Sequence, residues 1–454
     1  KLLSALYEHG IFCERYLEKF THNGNHLLAD AGALVLLGEF FPLSGKTLQW
    51  GERGWSILVE EIFRQVLEDG TDFEGSTSYH RMAAELFIWP AMYRKIKGKG
   101  VPELYHQRLK MMGFFTTAYT KPDGTAPLWG DADDGRPYVF GPQSYADHSY
   151  LPALISLVLG DEVTMPPNPD ASKEIYWSLG WNKGVAAERV PKKSQSSQSF
   201  TDSGVYIMSG ERDHIFIECG AVGYSGRGGH GHNDCLSFEA VLNEIAIISD
   251  SGSYVYTEDF KWRNAFRSTS FHSTPCVDQA ELNRFFGEDE LFLLHDDAKP
   301  KIHKWSTEGD KDIFVGSHSG YERLNVGIKP IRTIVLDKSI HGILVHDEFE
   351  GEGVHQITIP FHFVASATFH QQNVHHWYLS IGEHRFELHI LELGEWKSEI
   401  RNGWVSEMYG KKIERPVIEF KHEGKPSSLT VGIRPNIQGA QTINSWMKDI
   451  LLEL

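Results

Sequence analysis

The hydrophobic periodicity of this 454-residue chain changes once along its length, and that change constrains the fold more than any other feature. Before residue 183, apolar residues recur at a spacing of about 3.6, as in amphipathic helices. After residue 200, short runs alternate polar and apolar residues, and Arg385–Ile390 is an example. Such alternation is typical of half-buried antiparallel strands. The sequence therefore predicts a multidomain α+β protein, helical first and mainly β afterwards.

Five segments of the first part are predicted to be helices, joined by loops that contain Gly or Pro. In the first of them the apolar residues, among them Leu27, Ala31 and Val35, fall on one stripe, and Pro42 is expected to end it. Helices joined by such loops fit stacked antiparallel helix pairs. The predicted helices are His26–Phe41, Trp55–Leu67, Tyr79–Lys95, Pro102–Thr117 and Ala146–Leu159.

Residues 183–200 are polar, Ser-rich and basic, which is typical of a linker. The predicted domains are therefore residues 1–182 and residues 201–454. The predicted strands of the second domain are Val205–Met208, Ile215–Cys219, Ile245–Ser249, Thr333–Leu336, Ile343–His346, Gln356–Phe363, Trp377–Ile381 and Arg385–Leu391.

Charge and composition exclude several classes of function. With 44 basic and 61 acidic side chains the formal net charge is −17, which argues against a nucleic acid partner. A local cluster of Arg and His can still attract an anionic substrate. No apolar run approaches the roughly 18–20 residues of a membrane span. The cysteines leave the redox compartment open, because Cys13, Cys219, Cys235 and Cys276 show no CxxC spacing.

The densest group of chemically active residues lies in Gly226–Phe238. His230 and His232 are framed there by four glycines, which indicates that the backbone approaches another group closely. Farther along, Asp250 and His272 complete a set of two histidines and one carboxylate with His232, a combination that can bind zinc. The alternative is that this part of a chain with 23 histidines merely carries many of them at its surface.

A second group surrounds the start of a predicted helix. Ser76 or Thr77 can cap that helix, which would place Tyr79 in its first turn. The partial positive charge of a helix N-terminus favours a tyrosinate, and a tyrosine that acts as a base needs such help because its ordinary pKa is about 10. His80 and Arg81 add polar groups beside it. The alternative is a tyrosine that is simply packed at a helix start.

Two further segments are candidates for anion binding or for ordered loops. In His22–His26, the donors of Asn25 and His26 precede a predicted helix and could face an anion. Asn23 can cap that helix, and the alternative is that the segment is only an ordinary Asn/Gly turn and cap. Gly130–Pro137 resembles a calcium loop but lacks the distal glutamate. It is interpreted as an ordered loop with Arg136 near a cleft.

Taken in order, these segments resemble the heparinase II/III-like family of polysaccharide lyases. The resemblance implies an incomplete (α/α) toroid followed by antiparallel β-sandwich sheets. The family has more toroid helices before its first motif than this chain has, so a missing N-terminal portion is expected. The matching segments are Asn23–His26, Glu74–His80, Gly130–Pro137, Gly228–Glu239, Ile248–Tyr256, Phe266–Thr274 and Gly403–Gly410.

The chemistry that the resemblance implies is β-elimination beside a uronic acid. The C5 proton of such a sugar becomes acidic enough only when the adjacent carboxylate is neutralised. Asn25 and His26 match the neutralising pair of the family. Tyr79 matches the residue that takes the C5 proton and returns one to the leaving oxygen. His230 matches the histidine that serves as base for the opposite C5 epimer or steadies the carboxylate.

The resemblance also implies a structural zinc ion at His232, Asp250 and His272, and an anionic polysaccharide or oligosaccharide as substrate. A periplasmic or secreted location is expected, with a cytoplasmic one as the alternative. Five further basic side chains, in these segments or close to them in sequence, are predicted to contact substrate: His80, Arg81, Arg136, Arg263 and Arg267.

Three alternatives to a degradative lyase stay open. A family member could trim a surface polysaccharide made by its own cell. A protein without turnover could bind glycans, although such a protein would not need Asn25, His26, Tyr79 and His230 together. A glycoside hydrolase would need a pair of catalytic acidic residues, and the sequence does not indicate such a pair.

Overall fold

The computed structural model describes residues 1–41, 45–142, 144–161, 166, 168–179, 196–223, 226–391, 394–436 and 441–454. The chain divides into two compact units. The helical unit comprises residues 1–120, 124–126 and 134–192, and the sheet unit comprises residues 121–123, 127–133 and 193–454. Pro42 and most of the predicted linker lie outside the described residues, while the last three residues of that linker form a strand, Gln198–Phe200.

The helical unit contains all five predicted helices. They begin and end close to the predicted residues, except that the second begins ten residues earlier, at Gly45. The helices are α1 (Leu2–Arg15), α2 (Asn25–Phe40), α3 (Gly45–Gln65), α4 (Thr77–Ile96), α5 (Glu103–Tyr119), α6 (Tyr150–Leu159) and α7 (Pro169–Leu179).

Helices α2 and α3 approach each other through glycines. A Cβ atom on Gly38 would lie 2.4 Å from the backbone nitrogen of Gly51, and a Cβ atom on Gly54 would lie 2.4 Å from the carbonyl oxygen of Ala31. Any larger side chain would force the helices apart. Glycine costs helix stability, so its presence in both helices reflects this close packing. The stripe predicted for α2, including Leu27 and Val35, is fully buried.

The sheet unit contains three antiparallel sheets in the described part of the chain. The five-stranded sheet has the order β1-β2-β3-β4-β5, the eight-stranded sheet β12-β13-β14-β17-β10-β9-β8-β7, and the four-stranded sheet β15-β16-β11-β6. The strands are β1 (Gln198–Phe200), β2 (Val205–Ser209), β3 (His214–Glu218), β4 (Phe238–Leu242), β5 (Ile245–Ile248), β6 (Cys276–Val277), β7 (Lys301–Ser306), β8 (Lys311–Ser317), β9 (Ile328–Asp337), β10 (Gly342–Gly351), β11 (His355–His362), β12 (Ala367–Asn373), β13 (His376–Ile381), β14 (His384–Leu391), β15 (Lys397–Met408), β16 (Lys411–Gly424) and β17 (Leu429–Pro435).

One hydrophobic core is shared by the three sheets. It takes in Ile217 from the five-stranded sheet, Ile343 from the eight-stranded sheet and Phe420 from the four-stranded sheet. The described residues of the unit also form the helices α8 (Phe260–Phe266) and α9 (Ile443–Glu453). Helix α9 packs Trp446 and Met447 against a separate cluster on β9 and β10, so the eight-stranded sheet is covered on both faces. Among the described residues, no helix is both long and apolar enough to span a membrane.

Candidate active site

The predicted site residues fall into two groups, one in each unit. Tyr79 belongs to the helical unit and occupies the first turn of α4, as predicted. The hydroxyl of Ser76 caps this helix and accepts hydrogen bonds from the backbone N–H groups of Ser78 (3.1 Å) and Tyr79 (3.2 Å). Tyr79 itself is buried. Its backbone therefore lies in the first turn of α4, where the partial positive charge of the helix is concentrated.

Asn25 is the first residue of α2, and its donors meet a carboxylate of the protein itself. Its backbone N–H donates to Oε1 of Glu74 at 2.9 Å, and its side-chain amide donates to both carboxylate oxygens of Glu74 at 3.2 and 3.1 Å. Glu74 thus places a negative charge at the N-terminus of α2. The helix cap is Gly24, so the prediction that Asn23 caps α2 is wrong.

His26 follows Asn25 and is accessible. Its Nδ1 lies 2.9 Å from Oε2 of Glu18, and 69% of its side chain is exposed. A donor to the Glu18 carboxylate must carry its proton on Nδ1, which leaves Nε2 as the second ring nitrogen for another partner. An exposed imidazole of this kind can meet an anionic ligand without first losing a buried contact.

His80 has a packing role, contrary to the prediction of substrate contact. Its ring is fully buried, Nδ1 accepts the backbone N–H of Asp72 at 3.3 Å, and Nε2 lies 3.0 Å from the hydroxyl of Thr116. Burial lowers the pKa of His80 to about 3, although a backbone hydrogen bond to Met112 opposes the shift. Both ring nitrogens are therefore engaged within the protein, and the ring is neutral.

The structure likewise corrects the substrate-binding roles predicted for Arg81 and Arg136. Arg81 is buried and donates to the backbone carbonyls of Gly135 (3.1 Å) and Tyr145. Arg136 lies between the carboxylates of two glutamates, with Nη2 at 2.7 Å from Glu85 and 3.0 Å from Glu174. These contacts hold the loop after residue 134 on α4. Neither guanidinium is left for a polyanion.

In the sheet unit, Asp131 is the centre of the candidate site. Its fully buried carboxylate lies 3.0 Å from Nδ1 of His230 and 2.9 Å from Nε2 of His232, and both Nη atoms of Arg263 donate to it, one at 2.7 Å. Its backbone N–H also donates to the carbonyl of His230 at 2.9 Å. Burial alone would raise the pKa of Asp131. The charge of Arg263 and the two imidazoles outweigh it and hold that pKa well below its usual range.

An ionised Asp131 determines the tautomers of both histidines, because a carboxylate can only accept hydrogen bonds. His230 must carry a proton on Nδ1, so its Nε2 holds the lone pair that acid–base chemistry requires. His232 must carry a proton on Nε2, so its lone pair lies on Nδ1. One carboxylate thus leaves a lone pair on Nε2 of His230 and on Nδ1 of His232.

The arginines of this unit also have roles other than the predicted substrate contact. Arg263 is fully buried, pairs with Asp131 and lies 4.9 Å from the ring of Tyr256. Arg267 is fully buried too and donates to the backbone carbonyls of Leu293 (3.0 Å) and Glu290 (2.8 Å). Burial, reinforced by the charge of Arg263, lowers the pKa of Arg267 to about 9.

Three buried residues form a candidate metal centre: His232, Asp234 and His272. Each has one ligand atom within 4.8 Å of those of the other two. Nδ1 of His232 and Nε2 of His272 are buried and receive no hydrogen bond from the described residues. A buried nitrogen without a partner costs folding free energy, and coordination of a metal ion would remove that cost. The donor set fits Zn²⁺.

The carboxylate of this centre differs from the prediction. Asp250 was predicted as the third ligand, but its Oδ2 lies 2.6 Å from Nδ1 of His272. Burial would raise the pKa of Asp250, but His272 outweighs burial and lowers it. The ionised Asp250 therefore orients His272 so that Nε2 points away from it, which is the usual function of a carboxylate behind a metal-binding histidine. Asp131 stands in the same relation to His232.

Sequence reasoning missed three carboxylates: Asp131, Asp234 and Glu74. Asp131 lies 99 residues before His230, and no periodicity connects the two. Asp234 belongs to the same motif as His232 and was passed over because Asp250 matched the family pattern. Glu74 lies inside the motif that contains Tyr79, and only its contact with Asn25 reveals its role.

A helical unit followed by antiparallel sheets is the architecture of the polysaccharide lyases that combine an α/α toroid with β-sheets. The family models match this chain in both parts, heparinase II/III N-terminus over residues 1–146 and heparinase II/III-like, C-terminal over residues 192–439. The chain therefore belongs to the heparinase II/III-like family.

The curated relatives include two enzymes named heparin-sulfate lyase, from Bacteroides stercoris and Pedobacter heparinus. Each is 24% identical to this chain over 315 residues, which is 67% of this chain and 41% and 42% of those proteins. The chain thus spans about two fifths of the length of these relatives.

Solved structures confirm the predicted fold class. A heparinase III superposes with a TM-score of 0.74 at 20% identity, covering 95% of this chain and 62% of that chain. A heparan sulfate lyase from Pedobacter heparinus gives a TM-score of 0.69 at 20% identity, covering 97% and 64%.

Proposed function

We propose that this protein is a lyase that cleaves a glycosaminoglycan, or another polysaccharide containing uronic acid, by β-elimination. The observation that carries the proposal is the match of the two heparinase II/III models, one in each part of the chain. The names of the two curated relatives support an anionic polysaccharide as the substrate. Action on such a polymer would take place in the periplasm or outside the cell.

Tyr79 is the proposed acid and base. As a tyrosinate it accepts the C5 proton, the electron pair of the C5–H bond forms a C4–C5 double bond, and the C4–O bond breaks. The tyrosine then donates a proton to the leaving oxygen, which returns it to the ionised form. Its place in the first turn of α4 supports this role, because the helix N-terminus stabilises the negative phenolate.

His26 and Asn25 are the proposed neutralising groups for the substrate carboxylate. Neutralisation is needed because the carbanion at C5 delocalises its charge into that carboxylate. His26 is exposed, and as an imidazolium it can donate from Nε2 to the substrate carboxylate while Nδ1 stays on Glu18. Asn25 joins it when the substrate carboxylate takes over the donors that Glu74 now receives.

His230 is the proposed base for the C5 epimer whose proton lies on the opposite face of the sugar. Its hydrogen bond to Asp131 supports this role, since it fixes the tautomer with the lone pair on Nε2. The Asp131 carboxylate also stabilises the imidazolium that forms when His230 takes a proton. Asp131 is therefore a positioning residue for His230.

A structural Zn²⁺ is proposed at Nδ1 of His232, Nε2 of His272 and the carboxylate of Asp234, and its chemistry would be that of a fold-stabilising crosslink. Asp131 and Asp250 orient the two histidines from behind. Because His232 lies two residues after His230, rigid placement of His232 also restrains His230.

The experiment is an absorbance assay on heparan sulfate, heparin, alginate, hyaluronan and glucuronan. Elimination leaves an unsaturated uronate that absorbs ultraviolet light, whereas hydrolysis does not. We expect growth of absorbance on one of the polymers. Tyr79→Phe should lower the rate by about 10²–10⁴-fold and leave equilibrium binding nearly unchanged, because it removes one hydroxyl and little surface.

Tyr93→Phe is the matched control, since Tyr93 lies on the same helix α4 and outside the candidate site. Full activity in Tyr79→Phe would exclude Tyr79 from the mechanism. A degradative lyase would be contradicted if none of the five polymers gave an increase in absorbance and none gained reducing ends. That result would favour either an enzyme that trims a surface polysaccharide of its own cell or a glycan-binding protein without turnover.

A further inference from the structure

A polar cavity lies in the sheet unit, and no candidate catalytic or zinc-binding residue lines it. Its volume is about 570 Å³, within the range of roughly 300–1,000 Å³ that is usual for ligand pockets. Alternate residues of β11 and β16 share one face of the four-stranded sheet and form its floor. They are the cross-strand pairs Gln356 with Glu423, Thr358 with Lys421, and Pro360 with Glu419.

The charges around this cavity are mainly negative. Three carboxylates line it, those of Glu281, Glu419 and Glu423, against the single ammonium of Lys421. Lys421 is paired with the carboxylates of Glu399 and Glu419, the second at 2.9 Å, and Glu419 is also paired with Arg401. Glu281 and Glu423 are the lining carboxylates for which the described residues show no such ion pair. A cation would therefore enter the cavity more readily than an anion.

Glu281 presents one carboxylate oxygen for a ligand. Its Oε2 accepts three hydrogen bonds, from the side-chain amide of Asn233 at 2.8 Å and from the backbone N–H and hydroxyl of Thr269 at 2.7 and 2.8 Å. These bonds hold the carboxylate in one orientation. Within the described residues no hydrogen bond reaches Oε1, so that oxygen is available in a preorganised position.

The rest of the lining suits hydroxyl groups. Ser270, Gln279 and Thr358 supply neutral donors and acceptors, and the two glutamines are joined by a hydrogen bond of 3.1 Å from Gln279 to Gln356. Apolar contact comes from Ile357 and Pro360. Carboxylates beside hydroxyl and amide groups recognise a ligand that combines positive charge with several hydroxyls.

We propose that this cavity binds a small polyhydroxylated ligand that carries an ammonium group, with an amino sugar as the representative. The ammonium is placed between Glu281 and Glu423, and the hydroxyls meet Ser270, Thr358 and the glutamines. The proposal does not rest on the proposed lyase chemistry, whose residues do not line this cavity.

The test is a titration of the full chain with glucosamine, glucose, glucuronate and putrescine, followed by ligand-observed NMR. Glucosamine should bind with saturation, glucose more weakly, and glucuronate not at all. Glu423→Gln should weaken glucosamine binding by roughly three- to tenfold and leave glucose binding unchanged. Glu383→Gln is the matched control, because Glu383 is exposed in the turn between β13 and β14.

Glu281→Gln gives a second, independent readout. The glutamine retains one oxygen for Asn233 and Thr269 and replaces Oε1 by an amide donor, so it should also weaken glucosamine binding while the melting temperature stays close to wild type. The proposal is overturned if glucosamine shows no saturable binding, or if both folded variants bind it as tightly as the wild type does. It is also overturned if glucuronate binds more tightly than glucosamine, or if putrescine, which lacks hydroxyls, binds as well as glucosamine.

Discussion

Nδ1 of His230 and Oδ2 of Asp131 lie 3.0 Å apart, and this hydrogen bond selects the histidine tautomer in the sheet unit. The Arg263 guanidinium keeps the pKa of Asp131 well below its usual range against the effect of burial, so the carboxylate accepts and does not donate. His230 then presents a lone pair on Nε2. The proton-transfer role proposed for His230 therefore depends on a residue that touches no substrate.

Asp131→Asn is expected to lower both stability and His230-dependent activity. The variant leaves Arg263 buried without its counter-ion, and breaking such a pair costs about 3–5 kcal/mol. Unfolding by urea measures the stability, and kcat/KM on a substrate of the epimer that needs His230 measures the activity. Asp310→Asn, an exposed aspartate of the same unit, should change neither.

The double variant Asp131→Asn/Arg263→Met separates the two effects. It removes both charges, so most of the lost stability should return, because a buried pair is often replaceable by apolar groups. Activity on the epimer that needs His230 should stay low. Recovery of that activity together with stability would show that Asp131 acts only through folding.

Metal content and thermal stability are expected to fall together in His232→Ala. Asp234→Asn should also lose the metal, since its carboxylate lies within the candidate centre. Asp250→Asn should retain it with affinity reduced by about 10–100-fold, as is usual for a carboxylate that orients a histidine ligand. Elemental analysis measures the metal content, and thermal melting with and without a chelator measures the stability. The zinc site would be refuted if the wild-type protein contained no metal and its melting temperature were unchanged by the chelator.

Glu74→Gln is expected to destabilise the start of α2. The substitution removes the charge that receives the Asn25 donors at 2.9–3.2 Å, and charge-assisted hydrogen bonds contribute about 1.5–3 kcal/mol. The free energy of unfolding of the variant should fall by about that amount. Glu103→Gln, exposed in the first turn of α5, is the control. An unchanged stability would mean that Glu74 does not secure Asn25.

The buried His80 is expected to contribute to acid sensitivity. Its pKa is about 3 in the folded protein and about 6.5 when unfolded, so between these values the unfolded chain binds the extra proton. The contribution is complete above about pH 6.5 and is lost as the pH falls towards 3. From pH 7 to pH 5 it amounts to about 2 kcal/mol.

His80→Gln should therefore lose about 2 kcal/mol less stability than wild type over that interval. Urea unfolding at both pH values measures the difference, and His9→Gln, on the exposed side of α1, should behave as wild type. Equal losses in His80→Gln and wild type would show that His80 is not the group responsible.

The local hydrophobic pattern of the sequence predicted helices and strands well where one face of the element is buried. Helix α2 and strand β14 agree with their predicted ranges to within one residue at each end, because their apolar stripes face a core. Strand β16 was missed, since its first residues, Lys411–Glu414, are charged or partly exposed and show little alternation. The start of α3 was missed too, because Gly51 and Gly54 carry no apolar side chain and serve close packing instead.

The sequence by itself determined the order of helices and strands, the family, and the positions of Asn25, His26, Tyr79 and His230, because local periodicity and motifs contain that information. Only the tertiary structure decided which side chains meet. Asp131 reaches His230 across 99 residues of chain, and the ligand atoms of Asp234 lie close to those of His232 and His272, whereas Asp250 contacts the far nitrogen of His272. The arginines that were predicted to contact substrate instead form buried ion pairs or donate to backbone carbonyls. A charged side chain is paired by its neighbours in space, and the chain path that brings those neighbours together is set by packing of the whole unit.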